Sequence, residues 1–156
     1  MVGNPNYVNY DGQVTSEDSV HALIDALVRS TFQVTAVLTR IGTEHDLSLT
    51  QLRVLGILRD RRPRVTELAA YLGLDKSTMS GLIDRAERRG LLARGRSAHD
   101  GRAVEVFLTT AGRELTHRLD AEIERTLAPA MHRLRPEQRV QLLDLLRPLL
   151  EPTNAE

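Results

Sequence analysis

The chain has 156 residues, 41% hydrophobic and 27% charged, and its 21 basic and 21 acidic residues cancel to a formal net charge of zero. This is the profile of a soluble globular protein long enough to bury a real core, and with only 3% aromatics and no Trp that core must be aliphatic. The absence of Cys excludes structural disulfides, thiolate catalysis and cysteine-based oxidant sensing.

Residues 1–14 carry Asn, Gly, Pro and Asp without periodicity and read as a flexible arm. They have neither the basic start nor the apolar centre of a signal peptide, and no apolar run approaches membrane-spanning length. Thr15 and Asp18 offer a capping box for a first long helix, which carries Val20, Leu23, Leu27, Val34, Leu38 and Ile41 at helical spacing and ends near Gly42. A second helix starts at Ser48 or Thr50, places Leu52, Leu55 and Leu58 on one face, and is broken at "RRPR" by Pro63. "VTELAAYLGL" is a short third helix stopped by Gly73. "DKSTMSGLIDRAERRG" is a fourth, capped by Asp75 and closed by Gly90. Residues 91–96 and 102–108 read as two strands joined at "SAHDG". "LTTAG" opens a long fifth helix with a stripe at Ala111, Leu115, Leu119, Ile123, Leu127, Met131 and Leu134. The sixth helix has Pro136 at its first position, poor capping from Arg135, and Pro148 where it should end or kink.

The third and fourth helices with their turn form a helix-turn-helix. In the fourth, Met79, Leu82, Ile83 and Ala86 point to a core. Its other side presents Lys76, Ser77, Thr78, Ser80, Gly81 and Asp84, with Arg85 and Arg88 at the margin. Small polar residues let a helix sit deep in a major groove, and hydroxyls bond phosphates or base edges; an ordinary solvated face has the same composition. The following hairpin makes this the winged variety. Arg94 and Arg96 lie on its outgoing strand, His99 at its tip and Arg102 at the start of its return strand, where an arginine can enter a narrow minor groove. Asp100 can orient the Arg102 guanidinium, or serve with Gly101 as turn chemistry, or do both. The charge distribution agrees. From Arg61 to Arg102 there are ten basic and five acidic residues, a local charge of +5 against −5 elsewhere.

The ordered combination of "VTELAAYLGLDKSTMSGLIDRAERRGLLAR" and "HDGRAVEVFLTTAG" resembles the MarR family of bacterial transcriptional regulators, over roughly residues 18–150. The resemblance implies a mainly α fold with a small β-hairpin wing. Its divisions are an arm at 1–14, a dimerisation helix at 15–47, a winged helix-turn-helix at 48–109, C-terminal dimerisation helices at 110–151 and a tail at 152–156. It implies a homodimer binding double-stranded palindromic DNA, with Arg102 as the minor-groove arginine and Asp100 as its partner. It also implies a cleft for a small aromatic or lipophilic effector, near which lie His21, Phe32, Arg53 and Tyr71, although Phe32 and Tyr71 read as core residues before they read as effector contacts. The leucine-rich "VQLLDLLRPLL" supports dimerisation independently, since a monomer would leave much of it exposed.

Two acidic clusters with His, Glu44–His45–Asp46 and Glu114, His117, Asp120 and Glu124, read as solvated faces, so no metal or other cofactor is expected. No nucleophile elbow, phosphate loop or HExxH helix appears, so no enzyme is expected. The reading is a cytoplasmic, sequence-specific regulator, a repressor by default; the nearest rival is a nonspecific architectural DNA-binding protein.

Overall fold

The computed structural model describes residues 16–97 and 103–150. The Thr15 cap, the wing-tip residues His99, Asp100 and Arg102, and both chain ends lie outside the described residues. The elements run α1 (Ser16–Glu44), α2 (Leu49–Leu58), α3 (Val65–Leu72), α4 (Lys76–Arg88), β1 (Leu92–Arg96), β2 (Val104–Leu108), α5 (Thr110–Met131) and α6 (Pro136–Leu150). The chain divides into two compact units, Met1–Ala36 and Val37–Glu156.

Local chemistry sets the boundaries in the second unit. Ser48 caps α2 by accepting the Gln51 amide, and Gln51 reciprocates by accepting the Ser48 amide at 2.8 Å. Pro63 separates α2 from α3, and Glu67 accepts the amide of Arg64 ahead of α3. Gly73 ends α3 in the left-handed region (φ 66°), where a side chain would be strained. Thr109 caps α5 and also donates its hydroxyl to the Gly90 carbonyl at 2.6 Å, tying this helix to the end of the preceding turn. Gly112 in the first turn of α5 is there for space: a Cβ would lie 2.0 Å from the Leu91 carbonyl oxygen.

The two strands pair antiparallel, Leu92 opposite Leu108 and Arg96 opposite Val104, and Ser97 extends the ladder by donating to Ala103. The α2–α3 connector joins on the other side, with Arg64 bridging to Glu105 and the Val106 amide bonded to the Pro63 carbonyl. The aliphatic core lies beneath this small sheet. It gathers Ile41, Leu52, Val54, Leu55 and Leu58, then Leu68, Met79, Leu82, Ile83, Leu92 and Val106, with Leu115 and Leu119 from α5. The stripes expected on α2 and α4 are therefore the buried ones.

The terminal helices differ. In α6 no residue is buried, and Val140, Leu143, Leu145, Leu149 and Leu150 are exposed. In α1 the stripe is exposed at Val20, Leu23, Ile24, Leu27 and Val28; Ile41 is buried in the core, and Val37 and Leu38 pack against it half-buried. Three expectations are corrected. Pro148, expected to end or kink α6, does not end it: the helix continues to Leu150, and the proline forgoes the one hydrogen bond that its amide would have made to Asp144. Leu134 falls beyond α5, and Ala111 and Met131 are exposed, so the α5 stripe narrows to Leu115, Leu119 and Ile123. Finally, Asp18–Glu44 is long and apolar enough to cross a membrane by length and composition, because Ala, Thr and Ser between the apolar residues keep its polarity low. It is also near the N-terminus and carries the Asp25–Arg29 ion pair at 2.9 Å.

Candidate nucleic-acid interface

The fourth helix begins at a heavily bonded cap. The Asp75 carboxylate accepts the Thr78 amide (2.8 Å) and the hydroxyls of Ser77 (2.5 Å) and Thr78 (2.6 Å). These donors, the Ser77 hydroxyl foremost, hold the Asp75 carboxyl far below the usual carboxylate range. The cap fixes the orientation of the first turn, so Lys76, Ser77 and Thr78 project at the exposed end of the helix. Burial of Met79, Leu82, Ile83 and Ala86 then turns Arg85 and Arg88 outward. Lys76, Arg85 and Arg88 make no ion pair among the described residues, so this face carries uncompensated positive charge and a helix N-terminus together.

The flank of α4 facing β1 is neutralised. Arg94 extends from β1 to the Glu87 carboxylate and to Asp84 Oδ1 at 2.7 Å, and touches the Ser80 hydroxyl at 3.4 Å and carbonyl at 3.5 Å. Glu87 also accepts the Arg94 amide at 2.9 Å. Arg94 and Asp84, both expected to face nucleic acid, are engaged with one another in the chain, because two carboxylates at helical spacing attract the guanidinium. Arg96, two residues on, is exposed on the wing and makes no ion pair among the described residues. Sequence reasoning passed over Glu87; the available signal was two acids, Asp84 and Glu87, within an otherwise basic segment that arrives at Arg94 seven residues later. It also passed over Arg89, which donates to the carbonyls of Asp46 (2.6 Å) and His45 (3.1 Å) and so fastens the end of α4 to the α1–α2 loop.

A capped helix with a basic outer face, a preceding helix joined by a glycine turn and a flanking two-stranded wing form a winged helix-turn-helix. Residues 45–103 match the sequence profile of the MarR family. The chain is 30% identical to the HTH-type transcriptional regulator YkoM of Bacillus subtilis, over 69% of this chain and 71% of YkoM. The chain belongs to the MarR family. The HTH-type regulator YfiV of the same organism is also 30% identical, over 60% of this chain but only 59% of YfiV. Among solved structures, the MarR family protein from Bacillus stearothermophilus aligns with a TM-score of 0.76 at 27% identity, over 87% of this chain and 96% of that one. BpsR of Bordetella bronchiseptica, described as regulated in DNA binding by 6-hydroxynicotinic acid, aligns with a TM-score of 0.63 at 27% identity, over 93% and 100% of the two chains.

Of the effector candidates in this MarR-family chain, Arg53 and Tyr71 are brought together and His21 and Phe32 lie in the other unit. Arg53, Gly56, Ile57, Asp60, Arg61 and Tyr71 line an open groove between α2 and α3. Its continuation past Arg62, Pro63 and Glu67 has a volume of about 280 Å3. Tyr71 is 64% exposed and Phe32 69%, so neither is a core residue of this chain, contrary to the alternative reading of both. Asp60 pairs with Arg59 at 3.2 Å and Glu67 accepts the Arg64 amide, and with Arg53, Arg61 and Arg62 against these two acids the lining is basic on balance and carries the Tyr71 ring. The acidic clusters with His are also partnered: His45 lies 3.1 Å from Glu122, whose pKa it lowers, and Asp120 pairs with Arg59 at 3.1 Å. Among the described residues no group of three metal-binding side chains converges.

Proposed function

We propose that the chain is a sequence-specific repressor that binds an inverted-repeat operator as a homodimer in the cytoplasm and is released by a small organic effector. The observation that carries this reading is α4, whose apolar half is locked in the core while Lys76, Arg85 and Arg88 stand free on the other. In the proposed complex, Lys76, Ser77, Thr78, Ser80, Arg85 and Arg88 meet the major groove, and Arg96, His99 and Arg102 meet the backbone and minor groove. Asp100 aims Arg102, while Asp84 and Arg94 serve each other.

Dimerisation is supported by the exposed leucines of α6 and the exposed stripe of α1, an apolar surface too extensive for a monomer. That surface favours a helix partner over a bilayer for α1, since the charged pair Asp25–Arg29 lies within it. A small dimer without a partner domain represses by occupying the promoter. The basic, aromatic groove at Arg53, Arg61 and Tyr71 suits a planar organic anion, and a ligand shifts the equilibrium only through unequal affinity for the two states.

The test is selection of duplexes from a random library by the full chain, followed by footprinting. The expected site is an inverted repeat with half-site centres about 10 base pairs apart. Recovery of sequence-random duplexes alone replaces this reading with an architectural DNA-binding protein.

A further inference from the structure

We propose that Arg94 is a positioning residue that acts on DNA binding through the recognition helix: it neutralises Asp84 and Glu87 there, without itself touching DNA. The inference rests on the DNA-binding reading above. Ser80, Asp84 and Glu87 fall at i, i+4 and i+7 of α4, a single stripe between the buried face and the exposed basic face. One β1 side chain reaches all three, with the guanidinium 2.7 Å from Asp84, on Glu87, and 3.4 Å from the Ser80 hydroxyl. Glu87 grips the same residue twice, through its side chain and through its amide at 2.9 Å. The start of the wing is therefore fastened to the second half of the helix by charge-assisted bonds from one residue.

The arrangement differs from an ordinary surface ion pair, where two exposed chains meet and little is gained. The Arg94 side chain is 26% exposed and that of Glu87 28%. Removing the guanidinium leaves two uncompensated carboxylates beside the face that must meet phosphates. This weakens binding, and it originates within the protein, at a distance from the DNA.

The experiment compares four full-length chains: wild type, Arg94→Met, Asp84→Asn/Glu87→Gln, and the triple variant. Glu87→Gln keeps an acceptor for the Arg94 amide. The probe is a labelled duplex of the sequence that the wild type enriches from a random library, and thermal melting is followed alongside. Arg94→Met is expected to weaken binding roughly 10-fold or more, the neutralised pair to change it less than about 3-fold, and the triple variant to return to within about 3-fold of that pair. Equal losses on removing Arg94 from both backgrounds, which leave the triple variant as weak as Arg94→Met, would mean that Arg94 grips DNA directly or, where the melting temperature falls with it, serves the fold alone; either overturns the inference, as does unaltered binding by Arg94→Met. If Arg94→Met does not fold, Arg94→Lys replaces it, reaching one carboxylate but not both, with intermediate binding expected and wild-type binding overturning. A wild type that enriches no duplex fails the DNA-binding reading itself, which separates the two failures.

Discussion

Two helices of similar length treat their apolar residues in opposite ways. The 13-residue α4 is among the more polar elements, yet Met79, Leu82, Ile83 and Ala86 are all buried. The 15-residue α6 carries six leucines and buries none of its residues. In α4 the apolar positions form one stripe that a single neighbouring layer covers. In α6 the same spacing recurs at 142, 145, 146 and 149, with 143 and 150 beside it, yet no layer among the described residues covers that stripe. Hydrophobicity alone therefore does not locate this chain's core. What differs is whether another layer of the chain lies against the stripe, and on the proposed reading the uncovered stripe of α6 is covered by a second copy.

The most direct way to break that contrast is to charge the exposed face. Leu143→Asp with Leu149→Asp is expected to give a folded monomer at micromolar concentration and to weaken operator binding more than about 100-fold, since one reading head then binds one half-site. Sedimentation decides it: a wild type that sediments as a dimer with a variant that does the same removes α6 from the proposed interface.

The contrast sharpens when the same truncation is made on each side of it. Leu68 is 1% exposed, and Leu68→Ala should cost about 3 kcal/mol whatever the protein concentration. Leu143 is 64% exposed, and Leu143→Ala should lower the melting temperature by an amount that depends on concentration, because only the dimer is weakened. Concentration-independent melting of both would place α6 in an intramolecular core. Gly112→Ala probes the reading head where it is tightest. The new Cβ would sit 2.0 Å from the Leu91 carbonyl, so thermal or urea unfolding should register a loss of about 3 kcal/mol.

The residues of α4 that reach the core were legible from periodicity, as were the caps at Ser48 and Asp75 and the stop at Gly73. These are local facts, decided within one or two turns of chain. The partners of Arg94 were not legible because they come from another element: sequence displays a cation on a strand, and only packing places it beside Asp84 and Glu87. The same limit applies to Arg89, whose acceptors are backbone carbonyls more than 40 residues away and carry no sequence signature. Tyr71 and Phe32 show the converse, since an aromatic residue at helical spacing reads as core whether the surface it faces is filled by the chain or left open. The tip residues His99, Asp100 and Arg102 lie outside the described residues, and their roles stand on the motif alone.

A smaller effect separates the charge of α4 from its packing. Arg85 and Arg88 are exposed and make no ion pair among the described residues, so replacing both with Ala should leave the melting temperature nearly unchanged. Operator affinity should fall, and the slope of log K against log salt should become shallower by about one unit for each phosphate that a subunit no longer neutralises. An unchanged slope would mean that these arginines do not face phosphates.

The smallest expected effect concerns the cap of the same helix. The Ser77 and Thr78 hydroxyls and the Thr78 amide depress the pKa of Asp75 in the folded chain. A depressed carboxylate stabilises the fold above its unfolded pKa, about 3.9 for Asp, and that contribution is lost as pH falls from there through the lower folded value. Asp75→Asn keeps an oxygen that accepts the Thr78 amide, so the helix stays capped, but it removes the charge that the hydroxyls solvate. The variant should therefore melt slightly below wild type at neutral pH, and the gap should close as the pH is lowered from about 5 towards 3. Glu122, held below its ordinary pKa by His45, weakens both proteins over the same acid range and cancels in the difference. A gap that stays constant with pH would show that the cap works through hydrogen-bond geometry alone, and that the anionic charge at the head of α4 contributes nothing to holding the helix that carries Lys76, Arg85 and Arg88.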